Sequence, residues 1–545
     1  MAKSGALQLE GIEISNFRGI KSCSINALTR VNVLIGPNNS CKSTVLESVW
    51  MISKLLDNKP HEGLRNLLDR RARRDAWNAK ELWFTYDPVQ DIRIKLVFKN
   101  MEPMGVILRG DFGFERFTVS TFKGAEVRGY CDMDASLVSC TKTTLLIPSD
   151  VTEVLSRARL IDRMILDSPG EMEQYPADPR ASSRLQGLLQ KVGRAYVEDL
   201  EDLGRMQYTR AVEKPYVSMG GRRFFLDDTG DGMRQALYVL SLMVSSKPTI
   251  FLLEEVETHQ HPAALRDLIR LFVETAKATG HQLILTTHSP DVFGVCNELG
   301  EDVCTFRLTR NSNGVVFATK LEGGSLKQVS DLGLDVGGLI RYRTFVIVEG
   351  DCDALTLRLA AQKLGTNLRE RAIDILPVGG RRAIAIVTKS VLKMGARALV
   401  VVDLDDKTKE TAIESVWSSI LSDNSFKLVG PDRLHLSLHP DTRNAFEKSC
   451  ILPVGTPDAL PGIVSHSMDD YLVQLVKENR SEFGELEPGK FHQLEEAKAI
   501  RAKDLLASVF GYYGRETVTT LFEKAKVLPR PLSEMVEQVT SLAGA

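Results

Sequence analysis

Two groups of residues in this 545-residue chain have the types and spacing that phosphate and metal chemistry require. The first is Gly36-Pro37-Asn38-Asn39-Ser40-Cys41-Lys42-Ser43-Thr44, which nearly matches the G-x-x-x-x-G-K-[ST] phosphate loop. In such a loop backbone N–H groups at a helix N-terminus cradle phosphates. Lys42 would neutralise their charge, and the Ser43 hydroxyl would reach Mg²⁺. Cys41 stands where the pattern has glycine, so its β-carbon can crowd a phosphate or strain the turn. A plain strand–helix turn is the alternative. Oxidation or alkylation of Cys41 would block nucleotide, unless the cysteine is merely tolerated there.

Further along, Ile250-Phe251-Leu252-Leu253-Glu254-Glu255 is an apolar run ending in two acids. Glu254 is placed to hold Mg²⁺, directly or through water, and Glu255 to polarise an attacking water. Aspartate is usual at the first position, and the extra methylene of Glu254 alters the metal geometry. Thr286-Thr287-His288-Ser289-Pro290 ends the next apolar run, where a histidine can sense a γ-phosphate. The competing interpretation is a buried strand capped by solvated acids, beside a structural histidine. Gly230-Asp231-Gly232-Met233-Arg234-Gln235 opens a helix just before the acidic run.

The second group is made of carboxylates. Val348-Glu349-Gly350-Asp351-Cys352-Asp353 sets one acid at a strand end and another four residues later, in the first helical turn. Val400-Val401-Val402-Asp403-Leu404-Asp405-Asp406 ends a later strand. Parallel strands open onto one edge, so Glu349, Asp353, Asp403 and Asp405 can converge there. Clustered acids repel one another unless cations are present. Oxygen donors select Mg²⁺ or Mn²⁺ over zinc, and two such ions can activate a water and stabilise the leaving oxygen of a phosphodiester. Helix N-caps and turn residues are the alternative for each motif taken singly.

The elements that must position these residues follow from periodicity. Leu9 to Phe17 and Val31 to Ile35 are expected as strands, and Ser43 to Leu56 as a helix with Val45, Leu46, Val49, Met51 and Ile52 at helical spacing. Strands are also expected at Ile92 to Phe98 and Val106 to Leu108. Arg65, Arg70, Arg71, Arg73 and Arg74 form either a solvated helix face, with Asp69 and Asp75 interleaved, or a DNA-contacting patch. Residues 150–215 are charged and carry few strand signals, which suggests a helical insertion. Thr249 to Leu253 and Gln282 to Thr287 are expected strands flanking a helix from Pro262 to Ala278. Asn311-Ser312-Asn313-Gly314 fits a hairpin turn.

A second α/β unit starts near Thr344. Strands at Phe345 to Val348, Ile373 to Leu376 and Leu399 to Val402 alternate with helices at Cys352 to Leu364 and up to Met394. Arg381 and Arg382 follow Gly379-Gly380 and could hold backbone phosphates. From Ser467 onward the pattern is mostly helical.

The phosphate loop, the Gly230–Gln235 signature, the acidic strand and His288, in that order, resemble the ATP-binding-cassette class of ATPases, in the group of recombination and chromosome-maintenance ATPases. That resemblance implies that Gly230 and Gly232 contact a partner subunit's nucleotide. E-G-x-x-D followed by D-x-D resembles the Toprim domain of topoisomerases, primases and some nucleases, implying that Glu349 is a metal ligand or general acid/base and that Asp353, Asp403 and Asp405 are metal ligands. ATPase followed by Toprim resembles the overcoming-lysogenization-defect (OLD) family of ATP-dependent nucleases. By that resemblance Asp469, in Ser467-Met468-Asp469-Asp470-Tyr471-Leu472, corresponds to a further acidic segment, usually richer in glutamate, and Lys503 to an active-site lysine.

The implied fold class is α/β: an ABC-type P-loop ATPase domain over residues 1–340, with residues 150–215 as helical insertion and dimerisation element. A Toprim domain with a Rossmann-like parallel sheet follows over 341–545, with a helical C-terminal region from about 465. The implied cofactors are ATP with one Mg²⁺, and two Mg²⁺ or Mn²⁺ ions in the Toprim site. The implied partners are DNA, further copies of the chain joined through the ATPase domain as a homodimer or higher homo-oligomer, and a helicase or other defence-system component.

The expected function is a nucleotide-regulated DNA endonuclease, in phage defence or DNA processing. The alternative is a non-nucleolytic ATP-gated DNA clamp or scaffold. Strand passage or primer synthesis is a third class, and strand passage lacks the separate tyrosine-bearing domain it usually needs. Composition sets outer limits. A hydrophobic share of 43% and a charged share of 26% exclude a disordered, collagen-like or disulfide-scaffold chain. A net charge of −2 requires any nucleic-acid site to be a local patch. Eight cysteines without a CxxC pair disfavour a zinc cluster and fit a reducing cytosol. No apolar run approaches a membrane span, so a cytoplasmic protein without membrane contact is expected.

Overall fold

A computed structural model describes residues 8–55, 84–86, 89–101, 103–110, 116–121, 129–132, 159–161, 216–219, 222–225, single positions between 232 and 244, 249–321, 341–403, 418, 426–430, 433–436, 449–454, 467–484, 488–495 and 501–544. The chain divides into two compact units, Met1–Lys320 and Leu321–Ala545. Arg65, Arg70, Arg71, Arg73 and Arg74, Gly230 and Asp405 lie outside the described residues, as does most of the expected helical insertion.

The strands of the first unit are β1 (Leu9–Phe17), β2 (Ile20–Asn26), β3 (Val31–Ile35), β4 (Ile92–Phe98), β5 (Met104–Gly110), β6 (Arg116–Thr121), β7 (Gly129–Asp132), β8 (Arg159–Ile161), β9 (Tyr216–Met219), β10 (Arg222–Phe225), β11 (Ile250–Leu253), β12 (Gln282–Thr286), β13 (Cys304–Arg310) and β14 (Val315–Lys320). Among the described residues, twelve of them form one sheet in the order β7-β6-β5-β4-β1-β2-β14-β13-β3-β12-β11-β8. One half is antiparallel, and β4 alternates buried and half-exposed side chains, as a strand with one covered face does. In the other half β13, β3, β12, β11 and β8 run parallel, and β3, β11 and β12 are buried at every position. Parallel strands covered on both faces read as unbroken apolar runs, which is how the sequence presents β3 and β11. β8 lies within the stretch expected to be helical, and it extends the parallel half beside β11.

Helix α1 (Lys42–Leu55) follows β3, and α2 (Pro262–Thr279) and α3 (Pro290–Glu298) follow β11 and β12. The buried Gln282 side chain exchanges hydrogen bonds with both backbone groups of Leu9 (2.9 and 2.7 Å), so the start of β12 is tied to the antiparallel half. Asn311 closes the β13–β14 hairpin, its side-chain oxygen accepting from the backbone N–H groups of Asn313 and Val315.

In the second unit β15 (Thr344–Val348), β16 (Ile373–Pro377), β17 (Arg397–Asp403), β18 (Phe426–Gly430), β19 (Arg433–Leu436) and β20 (Ser449–Val454) form a sheet in the order β16-β15-β17-β20-β19-β18. The first four run parallel, and β19 and β18 continue antiparallel. Helices α4 (Asp351–Lys363) and α5 (Arg381–Lys393) follow β15 and β16. The C-terminal helices are α6 (Met468–Glu478), α7 (Pro488–Glu495), α8 (Ala502–Phe510), α9 (Arg515–Lys524) and α10 (Arg530–Gly544). They are no appendage: Leu472, Leu506, Leu521 and Leu532 share one core with Val346, Leu357 and Leu399 of the sheet and α4. No described helix is long and apolar enough to cross a membrane.

Candidate functional site

In the first unit the adjacent parallel strands β3, β12 and β11 bring three loops to one sheet edge: Gly36–Ser43, Thr287-His288 and Glu254-Glu255. The backbone of the first loop is tightly turned. Gly36 has φ +146°, and a β-carbon there would lie 2.2 Å from the Leu308 carbonyl oxygen, so only glycine fits. Asn39 and Cys41 are left-handed, at φ +65° and +68°. Cys41 thus occupies the conformation that glycine takes without strain, and its thiol lies 3.6 Å from the Gly19 carbonyl oxygen.

Lys42 opens α1, buried. Its ammonium donates to the Gly36 carbonyl (2.9 Å), the Pro37 carbonyl (3.1 Å) and the Ser40 hydroxyl (3.4 Å). Burial lowers its pKa to about 8, against the pull of Glu255, Glu257 and Glu254. Ser43 and Thr44 follow in the first turn of the helix and Asn38 is exposed at the loop tip.

Glu255 takes φ +47°, and its N–H donates to the Thr286 hydroxyl (3.0 Å), which fastens the acidic loop to the neighbouring strand. The His288 pKa is lowered by burial and by Lys42, with Glu255 opposing, so the imidazole is held neutral near a cation and an acid. Glu257 escapes detection from sequence. One of its oxygens accepts the His288 N–H at 2.5 Å, and the other is buried without a hydrogen-bond partner among the described residues. Gly232 meets this segment too: Gln260 donates to its carbonyl (2.9 Å), and a β-carbon on it would lie 2.4 Å from the His259 carbonyl oxygen. Arg18 and Glu47 were likewise not legible as partners. They form a largely buried ion pair of 3.1 Å between the β1–β2 turn and α1, and Arg310 fixes the same turn through the Gly19 carbonyl (2.8 Å).

In the second unit, Glu349 follows β15 and Asp403 ends β17, its neighbour in the sheet. Asp353 accepts the Gly350 N–H at 2.9 Å, so it caps α4 while standing beside the other acids. Asp403 accepts the Met468 N–H (3.0 Å) at the N-terminus of α6. Of the next two acids, Asp470 makes the cap, accepting the Ser467 N–H at 2.9 Å, and Asp469 acts on Asp353 and Asp403. Burial first, then Asp469 and Glu349, push the Asp353 pKa up to about 7. Burial, Asp353 and Glu349 push Asp403 up to about 9. Asp469 is raised by burial, while a hydrogen bond from Tyr513 and the charge of Lys503 pull it down. Lys503, in the first turn of α8, is therefore close enough to act on the acid set.

Glu349, Asp353, Asp403 and Asp469 stand close enough to act on one another's charge, although no three described His, Cys, Asp or Glu side chains form a metal-holding group. The donor chemistry fits hard divalent cations: the buried carboxylates are mutually repelling, and bound positive charge is what would let all of them ionise at neutral pH.

Family models match both units. Residues 8–150 match the AAA ATPase domain, and residues 202–293 match the model described as "AAA domain, putative AbiEii toxin, Type IV TA system". Residues 342–405 match the Toprim domain of overcoming-lysogenization-defect-like proteins. The chain has the ATPase–Toprim architecture of the OLD family. No curated protein matches it. Among solved structures, the SMC head domain from Thermotoga maritima is similar at 16% identity and a TM-score of 0.36, over 58% of this chain and 99% of that one. The SmcHead bound to the C-winged helix domain of ScpA gives 11%, a TM-score of 0.36, and 58% and 98% coverage. The OLD-like Toprim match contains Glu349, Asp353 and Asp403, and ends at Asp405.

Proposed function

We propose that this OLD-type chain is an ATP-binding, nucleotide-regulated endonuclease that hydrolyses DNA phosphodiesters at its Toprim carboxylates. The observation that carries the reading is the buried acid set at one edge of a parallel sheet, with Asp403 and Asp353 held far above the ordinary carboxylate range. A purely structural role would not gather Asp353, Asp403 and Asp469 where burial opposes the ionisation of each. Glu349, Asp353, Asp403, Asp405 and Asp469 would hold two Mg²⁺ or Mn²⁺ ions. Such a pair, when bound, activates a water and stabilises the leaving oxygen. Lys503, whose charge reaches Asp469, would offset phosphate charge, and Glu349, at the strand end, would serve as metal ligand or general acid/base.

In the ATPase domain (1–340), Lys42 would leave its own loop's carbonyls for the ATP phosphates, with Ser43, Thr44 and the loop N–H groups cradling them. Glu254 would hold the accompanying Mg²⁺, Glu255 would polarise water, and His288 would sense the γ-phosphate. Gly230 and Gly232 would serve a second subunit, making the working form a homodimer or larger. The Toprim domain takes 341–545, and a cytoplasmic role in phage defence or DNA processing, alongside a helicase or other defence component, fits this design.

Plasmid cleavage under Mg²⁺ or Mn²⁺, with and without ATP, beside Asp403→Ala tests the reading. Nicking or linearisation that falls on the order of a hundredfold or more in the variant is expected. Equal cleavage by both proteins would refute it, and no cleavage by either under any metal would favour an ATP-gated DNA clamp.

A further inference from the structure

The acid set gains one contact from a residue that no motif contains. The loop joining α8 to α9 carries Tyr512 and Tyr513 in opposite senses. Gly511 turns it through the left-handed region at φ +79°. Thr517 donates to the Tyr512 carbonyl at 2.9 Å. The Tyr512 ring folds over Gly514, where a β-carbon would lie 2.5 Å from its hydroxyl, and stays 65% exposed. Tyr513 turns inward, packs against the core shared by α4 and α6, and donates its phenol proton to Asp469 Oδ1. A carboxylate that binds a cation needs its plane fixed by an outer hydrogen bond, and residues in that role commonly set metal affinity about 10–100-fold. Asp469 receives no such support from its own helix, because Asp470 makes the cap.

We propose that Tyr513 is a positioning residue of the carboxylate site, its phenol fixing Asp469 so that this acid joins Asp353 and Asp403 in holding a divalent cation. The C-terminal helices, which share the core of the Toprim sheet, thereby become part of the site. Tyr513 touches no substrate and no reacting atom in this role. The inference rests on the two-ion reading above.

Mn²⁺ binding to the full chain, measured by titration calorimetry without DNA, tests it independently of cleavage. Wild type, Tyr513→Phe, Asp469→Asn and the double variant are compared, with melting temperatures alongside. Tyr513→Phe is expected to weaken Mn²⁺ about tenfold or more, to regain cleavage at high Mn²⁺, and to add nothing in the Asp469→Asn background. Wild-type affinity in Tyr513→Phe overturns the role of Tyr513 alone, as does a loss that persists in the Asp469→Asn background, the mark of a general folding defect. A wild-type chain that takes up no Mn²⁺ overturns the two-ion site and the inference with it.

Discussion

The two sites solve opposite electrostatic problems at the same kind of place, the C-terminal edge of a parallel sheet. At the phosphate loop the buried charge is a cation already in company: Lys42 donates to two carbonyls and a hydroxyl of its own loop, with Glu254, Glu255 and Glu257 near enough to stabilise it. At the Toprim edge the buried charges are all of one sign: Asp469 and Glu349 add to burial in raising the Asp353 pKa, and Asp353 and Glu349 add to burial in raising that of Asp403. In the first site backbone carbonyls and a hydroxyl offer Lys42 the kind of oxygen a phosphate would offer. In the second, burial and neighbouring acids oppose ionisation. On the proposed reading an anion would be exchanged for existing partners in one unit, and cations would supply missing ones in the other.

Lys42→Ala should separate the two most sharply. Hydrogen bonds to a charged group contribute about 1.5–3 kcal/mol, so ATP affinity is expected to fall about 10–100-fold, read by titration with a fluorescent ATP analogue. Mn²⁺ uptake at the Toprim carboxylates should not change. Undiminished ATP binding would refute the phosphate-loop assignment, and a parallel loss of Mn²⁺ binding would show that the sites are not separable in this way.

The strain at the acid edge gives a smaller, pH-dependent effect. Unfolded aspartates titrate near pH 4 (about 3.9), whereas Asp353 and Asp403 are held at about 7 and about 9. Between these limits the folded chain binds more protons than the unfolded one. The stability associated with the protonated carboxylates is therefore full at the acid end and is lost as pH rises through 7 toward 9. With chelator present, the melting temperature of the second unit should fall across that window, and Mg²⁺ or Mn²⁺ should flatten the decline. A chelated protein whose melting temperature rises from pH 6 to 9 would contradict the burial of these acids.

What the sequence disclosed of each site follows the same division. Parallel strands share an edge, so Glu349 and Asp403, or Glu254 and His288, could be placed together from strand periodicity alone. The choice between Asp469 and Asp470 depended on which of them caps α6, and helix register decides that only in three dimensions. Asp353 shows that capping a helix and standing among the clustered acids need not be alternatives, since it does both. Tyr513 stands 44 residues from Asp469 in the loop between α8 and α9, and Arg18 meets Glu47 across the first strands and the loop, so no local pattern could announce either pair. β2, the parallel strand β20 and the antiparallel edge strands β19 and β18 of the second sheet also went unanticipated. Ile20–Asn26 mixes polar and apolar residues, and its pairing with β1 and β14 supplies the order that its own sequence does not.

The least disruptive change concerns the one departure in the phosphate loop. Cys41 sits at φ +68°, where a residue with a β-carbon costs about 1–2 kcal/mol relative to glycine. The Cys41→Gly substitution removes that strain and also the thiol contact with the Gly19 carbonyl. The two changes oppose each other, so ATP affinity is expected to stay within about tenfold of wild type, equivalent to roughly 1.4 kcal/mol, with any shift toward tighter binding. A large loss in Cys41→Gly would mean that the thiol holds the β1–β2 turn against the loop, making the turn carrying Arg18 and Gly19 a working part of nucleotide binding. A large gain would mean that the cysteine restrains nucleotide affinity, and alkylating the wild-type thiol should then weaken ATP binding further while leaving Mn²⁺ uptake in the second unit unchanged.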